Sequence, residues 1–526
     1  MSSEAYVQAE EAANVKLVQE IEAWFKTPRF QHTKRPYSAT QVASLRGSIQ
    51  DSPASAITAK KLYSLLRSSY DKGEYAHTFG ALDPVQVVQM AKYLSCVYVS
   101  GWQSSSTAST SNEPGPDFAD YPADTVPNKV EQLFRAQLFH DRRQREERFR
   151  MTPAQRRATP VIDFMRPIIA DGDTGFGGVT SVMKLVKMQV LAGASGIHIE
   201  DQGVGVKKCG HMGGKVLIPM REHVDRMSAA RLQCDMMGVE TVLIARTDAC
   251  SATLLTTNID ARDHAFILGS TVASVGACED AKDQEQWLVA AKLKTYPHAI
   301  ADALKAQGKD ATAWLKESHV MSNTQARARA AQLGLGGVFW DWDAPRAREG
   351  YYRVEGSVAY SAARALAFSP VSDVIWMETA TPDIAEADEF HKLVHAQVPH
   401  QMLAYNLSPS FNWSGMKGMD DNAIRNFQKE LGKRGFAWHF ITLAGFHTNA
   451  LAIDQFAKAY AGPDGVLSYV NMIQREEARL GVETLKHQKW SGAEMMDNAM
   501  MIATGGGSST ASLKGATEDQ FGASKL

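Results

Sequence analysis

Only five cysteines occur in 526 residues: Cys96, Cys209, Cys234, Cys250 and Cys278. The number is odd, no pair has metal-ligand spacing and no disulfide framework emerges, so a reducing compartment suits them better than an oxidising one. Long apolar runs are also missing. None approaches the ~18 residues that a membrane-spanning helix needs, so no membrane insertion is expected. Neither sign of charge dominates: 56 Lys and Arg stand against 58 Asp and Glu, a formal net charge of −2. That leaves no basic surface for nucleic acid. The opening MSSEAYVQAEEAANVKL is acidic and predicts neither a signal peptide nor a mitochondrial presequence. No G-x-G-x-x-G follows the first candidate strand, which counts against an open doubly wound sheet. The Gly-rich stretch 172–178 lacks the G-K-[ST] of a phosphate cradle.

What the chain does have is a rhythm. Residues 1–75 read as helices and loops, with helical periodicity in VKLVQEIEAWF and SATQVASLRGSI. From about residue 76, short apolar runs end in polar residues: HTFGALD, CVYVSGW, RPIIADGD, SGIHIEDQ, TVLIARTD, DVIWMET, QMLAYN and FAWHFITLAG. Stretches such as 179–194 and 223–238 between them read as helices. Eight such units predict an α/β fold, a (β/α)8 barrel of the TIM type, whose catalytic groups stand at the C-terminal ends of the strands. Those ends carry Asp171, Glu200, Arg246, Glu378, Asn406 and Thr442. Over 120 residues separate Arg246 from Val374. A structureless loop of that length is implausible, so 271–350 reads as an inserted helical module. The expected division is 1–75 N-terminal helices, 76–270 and 351–460 the two parts of the barrel, and 461–526 C-terminal helices with a flexible tail. The last three residues, Ser524-Lys525-Leu526, read as a peroxisomal address for an import receptor.

Three clusters carry chemistry. In Lys207-Lys208-Cys209-Gly210-His211-Met212-Gly213-Gly214-Lys215, one thiol and one imidazole lie among lysines and glycines. The glycines let a loop close over a ligand and reopen, and the lysines are expected to draw Cys209 toward thiolate. A zinc site is the competing reading, but further Cys or His at ligand spacing are missing. The second cluster is carboxylate: Asp171 and Asp173 at one strand end, Glu200 at the next, and Asp117 on a preceding loop. Acids converging on one barrel mouth repel unless a cation joins them, and hard oxygen ligands suit Mg²⁺ or Mn²⁺. The third cluster, Arg246 with Asn406, Ser408, Ser410 and Thr442, is equipped to grip carboxylates.

These blocks together resemble the isocitrate lyase family, in the phosphoenolpyruvate mutase and isocitrate lyase superfamily of barrels. The matching segments are SGW, YPADTVP, ADGDTGFGG, HIEDQ, KKCGHMGGKVLIP, IARTDA, IWMET, AYNLSPSFNW and FITLAGFH, in order through residues 76–450. The resemblance implies metal-assisted retro-aldol cleavage of isocitrate to glyoxylate and succinate. It also implies a homotetramer with C-terminal helices exchanged between paired subunits; with the C-terminal tripeptide, the expected location is the peroxisome or glyoxysome matrix, and the cytoplasm as well. On the same footing Asp171 holds Mg²⁺ directly, and Asp117, Asp173 and Glu200 hold it largely through water. Tyr98 takes the hydroxyl proton and Cys209 protonates the succinate carbanion. His211 tunes Cys209, and Glu378 counts with the catalytic group. Ser100, Gly101 and Trp102 bind the glyoxylate end through backbone amides, and Gly210 joins the substrate contacts. Two other readings stay open: a 2-methylisocitrate lyase, which shares the chemistry, and a catalytically inactive barrel scaffold. Trp376 and Leu443 are the bulky residues expected to close the pocket against an extra methyl.

Overall fold

The computed structural model describes residues 3–513 and 515–521; Ser524-Lys525-Leu526 lies outside the described residues. Eight parallel strands form the central sheet: β1 (Ala76–Phe79), β2 (Val97–Val99), β3 (Ile168–Asp171), β4 (Ala194–Glu200), β5 (Val242–Thr247), β6 (Val374–Met377), β7 (Met402–Asn406) and β8 (Phe436–Ile441). Each pairs with its neighbours in sequence order, and β8 pairs with β1. A parallel bridge between Gly80 and Tyr98 joins β1 to β2 and closes the ring. Each of the eight apolar runs supplies one strand, and closure excludes the open sheet.

The barrel interior follows from the two-residue period of a strand, which sends alternate side chains inward. Val242 and Ile244, Val374 and Trp376, Met402 and Ala404, Trp438 and Phe440 all belong to one buried cluster with Tyr98 and Ile169. Trp438 stacks on Phe440 at 4.0 Å between ring centroids, and Trp376 meets Phe440 edge-on at 4.9 Å. Each such side chain removed from water contributes roughly 1.5–3 kcal/mol. Leu62 and Leu66, from the helix Ser55–Asp71, join this cluster beside residues that begin β5 and β7, so the helix covers the N-terminal ends of those strands.

Between β5 and β6 the chain builds a core of its own. Tyr296, Ile300, Leu304, Trp314 and Trp340 pack together, and Trp314 and Trp340 each give their indole N–H to a backbone carbonyl nearby, of Pro297 and Lys294. A smaller cluster forms around Cys278, Trp287 and Ala291. The chain divides into two compact units, each discontinuous in sequence. One comprises the described residues of Met1–Gly80, Leu94–Glu131 and Pro167–Leu443; the other comprises those of Ala81–Tyr93, Gln132–Arg166 and Ala444–Leu526.

Within the first unit, buried ion pairs fasten the N-terminal segment to the barrel. Arg29 grips Asp373, just before β6, through Nη1 to Oδ1 at 2.6 Å and Nη2 to Oδ2 at 3.0 Å. Arg231 adds a 2.7 Å contact to the same carboxylate, and Leu243 donates its N–H. Burial opposes ionisation of Asp373, but Arg29, Arg231 and these hydrogen bonds hold its carboxyl well below the usual range. Asp373→Ala is therefore expected to cost about 3–5 kcal/mol in denaturant unfolding, because two buried guanidinium groups lose their partner. The depressed folded pKa means that the stabilisation is complete above about pH 4 and fades as pH falls below it. An Asp373→Asn protein that kept the wild-type acid-side slope would contradict this.

Candidate active site

The strand ends converge on a cavity of about 130 Å³. The turn after β3 shapes one wall. Asp173 takes a left-handed backbone (φ +46°), and its N–H donates to Asp171 Oδ1 at 2.9 Å. Gly172 is required there, since a Cβ would meet the His198 carbonyl at 2.6 Å. Glu200 N–H then donates to the Asp173 carbonyl, docking the turn on β4. Gly101 closes in from the other side. Its N–H donates to Asp171 Oδ2 at 2.9 Å, so this amide serves the carboxylate rather than standing free for substrate.

Asp117, Asp171, Asp173 and Glu200 are all buried at this mouth. Lys207 holds two of them, with Nζ 2.5 Å from Asp117 Oδ1 and 2.6 Å from Asp173 Oδ1; Glu200 Oε1 is 3.9 Å away. Tyr121 donates its hydroxyl to Asp173. Burial and the neighbouring Asp173 push Asp117 up to about 7 against the pull of Lys207. Burial likewise opposes ionisation of Asp171, but His198, Lys207 and the two backbone N–H donors hold its carboxyl down. Among the described residues no three acidic, His or Cys side chains form a ready-made ligand set. The donors are nevertheless all hard carboxylate oxygens, and Asp171 and Asp117 line the cavity. That chemistry fits a divalent oxygen-seeking cation bound by few direct ligands and completed by water.

The loop 203–215 brings Cys209, Gly210 and His211 onto the cavity. Gly210 packs so closely that a Cβ would meet Glu378 Oε1 at 2.7 Å and Arg246 Nη2 at 3.0 Å. His211 Nε2 stands 3.3 Å from Glu378 Oε1 without hydrogen-bond alignment, and its Nδ1 is 3.4 Å from Ser408 Oγ. Lys207 is spent on the carboxylates, so the pull toward thiolate expected of the lysines is outweighed. Burial, then Asp117, outweigh Lys207 and Arg246 and push the Cys209 thiol up to about 11. Tyr98 donates toward Asp171 Oδ2 at 3.3 Å and lies 3.0 Å from His198 Nε2. Burial and Asp171 raise it well above an ordinary phenol.

Opposite the acids, Arg246 places Nη1 3.1 Å from Glu200, while Asn406 Nδ2 donates to Glu378 Oε1 at 3.1 Å. Ser408, Ser410 and Thr442 complete this wall with Ser100, Trp102, Trp376 and Leu443. Several polar atoms of lining residues are buried without a hydrogen-bond partner: Trp376 Nε1, Asn406 Oδ1, Glu378 Oε2 and His211 Nε2. Such atoms need a partner, which a bound ligand or water supplies. Of the catalytic, substrate and metal residues assigned from the sequence, Gly101, Asp173 and Glu200 are not among those lining the cavity, and neither are the loop lysines Lys207, Lys208 and Lys215. Sequence reasoning missed Tyr121 and His198 and misjudged Lys207. HIEDQ and YPADTVP contain the first two, but nothing in a string of letters says which side chain turns toward the acids.

A closed (β/α)8 barrel whose strand ends gather carboxylates, a half-buried thiol on a Gly-rich loop and an arginine around one small cavity belongs to the class of barrels with the active-site mouth at the C-terminal strand ends. Comparison narrows it. The isocitrate lyase family model matches residues 17–521, and the chain belongs to this family. It is 53% identical over 532 residues to the isocitrate lyase of Oryza sativa subsp. japonica, covering 96% of this chain and 93% of that one. With the isocitrate lyase of Pinus taeda it shares 51% over 543 residues, covering 97% and 93%. Identity to the mitochondrial 2-methylisocitrate lyase of Hypocrea atroviridis is 42% over 538 residues, covering 98% and 95%.

Proposed function

We propose that the protein is a carbon–carbon lyase that cleaves isocitrate to glyoxylate and succinate, as in the glyoxylate cycle. The observation that carries this reading is the convergence of Cys209, Asp171 and Arg246 on one small cavity in a chain 53% identical to an isocitrate lyase. The C2–C3 bond breaks, the hydroxyl proton leaves, and the electron pair remains on the carbon that becomes succinate. Cys209, held as a neutral thiol near pKa 11, is still protonated at neutral pH and suited to donate to that carbanion. Tyr98 is assigned to receive the hydroxyl proton. As a phenol it accepts one only by passing its own on, and His198 Nε2 at 3.0 Å is placed to take it. Arg246, Asn406, Ser408, Ser410 and Thr442 hold the substrate carboxylates. Asp171 would hold Mg²⁺ directly, with Asp117, Asp173 and Glu200 acting through water; Mn²⁺ fits the same oxygens. A cation held there would supply polarisation of the C2 oxygen.

Purified protein should cleave isocitrate with kcat/KM at least ~10-fold above that for 2-methylisocitrate, since Trp376 and Leu443 line the cavity and a methyl misfit in a pocket is worth about 10–200-fold. Cys209→Ala should lower cleavage by about 10²–10⁴-fold while succinate still binds. A variant keeping a tenth of the activity, or a wild type preferring methylisocitrate, would refute the respective assignment. Chelator should abolish turnover, with Mg²⁺ or Mn²⁺ restoring it; zinc as the best activator would contradict the oxygen-ligand site.

We further propose a homotetramer. Its C-terminal helices expose Leu451, Ile453, Val466, Leu480 and Ile502, each more than half accessible, which suits cover by another subunit; sedimentation of the purified protein measures this. Ser524-Lys525-Leu526 is proposed as the peroxisomal address. Deleting it should strand an N-terminally tagged copy in the cytosol of cells lacking the intact subunit, and peroxisomal import of the deletion would rule it out.

A further inference from the structure

The loop that carries Cys209 ends on a lysine that the chemistry above leaves unused. Lys215 is fully buried, and its Nζ stands 2.6 Å from Asp248 Oδ1, on a carboxylate equally enclosed. Asp248 turns both oxygens on a single guanidinium. Arg246 Nε donates to Oδ2 at 3.0 Å, and Nη2 donates to Oδ1 at 3.0 Å. One carboxylate oxygen is thus shared between the lysine and the arginine on the cavity wall. Arg246 and Asp248 lie two apart at the end of β5, so their side chains leave the same face of the strand. Beneath them, Asp201 accepts the Asp248 N–H at 2.9 Å and the Thr247 hydroxyl at 2.7 Å, and Arg364 holds Asp201 at 3.0 Å.

The backbone of Lys215 belongs to the frame rather than to the loop. Its carbonyl accepts from the N–H groups of Thr253 and Leu254, and the next two residues, Val216–Leu217, pair with Leu254–Leu255. Just before it, Gly213 and Gly214 have open space where a Cβ would point, and Gly214 has φ +74°. Segment and frame meet at this residue.

Arg246 has three carboxylates within reach: Asp248, Glu200 at 3.1 Å and Glu378 at 3.8 Å. A planar fork free to choose among them would have no single orientation toward the cavity. We infer that Lys215 is a positioning residue: by fixing Asp248, it pins one edge of the Arg246 guanidinium and sets its orientation before substrate arrives. This rests on assigning Arg246 to a substrate carboxylate. Preorganisation of such a group by a supporting charge removes reorientation from the binding step.

The test compares wild type, Lys215→Met and the double variant Lys215→Met/Asp248→Asn, each as full-length enzyme with Mg²⁺, for KM and kcat on isocitrate and for thermal midpoint. Lys215→Met should raise KM about tenfold with kcat changed less than about threefold, the pattern of lost ground-state binding. It should also lower the midpoint, because Asp248 loses a buried partner. The double variant removes the Lys215 charge together with the bidentate carboxylate of Arg246, so it should keep the raised KM. A wild-type KM in Lys215→Met, or a double variant that regains both properties, overturns the inference in favour of a purely structural ion pair. If Lys215→Met does not fold, Lys215→Gln decides by the same KM criterion. A wild type inactive on isocitrate overturns the functional reading and this inference together, a pattern that no variant comparison can mimic.

Discussion

The ammonium of Lys207 sits between two buried carboxylates, and the mouth of the barrel depends on it. Asp117, Asp171, Asp173 and Glu200 are packed where water cannot screen them. Burying like charges together is costly unless opposite charge is threaded between them. Lys207 on one side and Arg246 on the other provide that thread. Because Lys207 and Cys209 lie on one loop, the same contact that quiets the acids also draws the thiol onto the cavity. The lysine that seemed placed to activate Cys209 is consumed by the acids, and burial leaves the thiol protonated. That protonation state suits a proton donor.

The two ends of the barrel do different work. At the C-terminal ends of the strands, polar atoms of Trp376, Asn406 and Glu378 have no hydrogen-bond partner, which a folded protein tolerates where a ligand completes them. Toward the N-terminal ends, Asp373 has Arg29, Arg231 and the Leu243 N–H, and Leu62 and Leu66 join the apolar cluster. Stability is concentrated at one end and unsatisfied chemistry at the other, as barrel architecture favours. The insertion between β5 and β6 adds a core of its own.

The sequence by itself determined the strand count, the barrel and which residues stand at the strand ends. Strand ends are legible because alternation and a terminal polar residue are local properties, and a barrel topology then dictates that those ends meet. Asp171, Arg246, Asn406 and Thr442 were visible on that basis, and the Gly-rich loop announced Cys209 and His211 by composition. Tertiary structure alone decided the rest. It assigned Lys207 to Asp117 and Asp173, brought Tyr121 and His198 to the acids, and engaged the Gly101 amide with Asp171. It also set the protonation of Cys209 and bound Lys215 to Asp248 across the fold. The physical reason is that a pKa and a buried ion pair are sums over neighbours distant in sequence, fixed only when the chain closes around them and water is excluded.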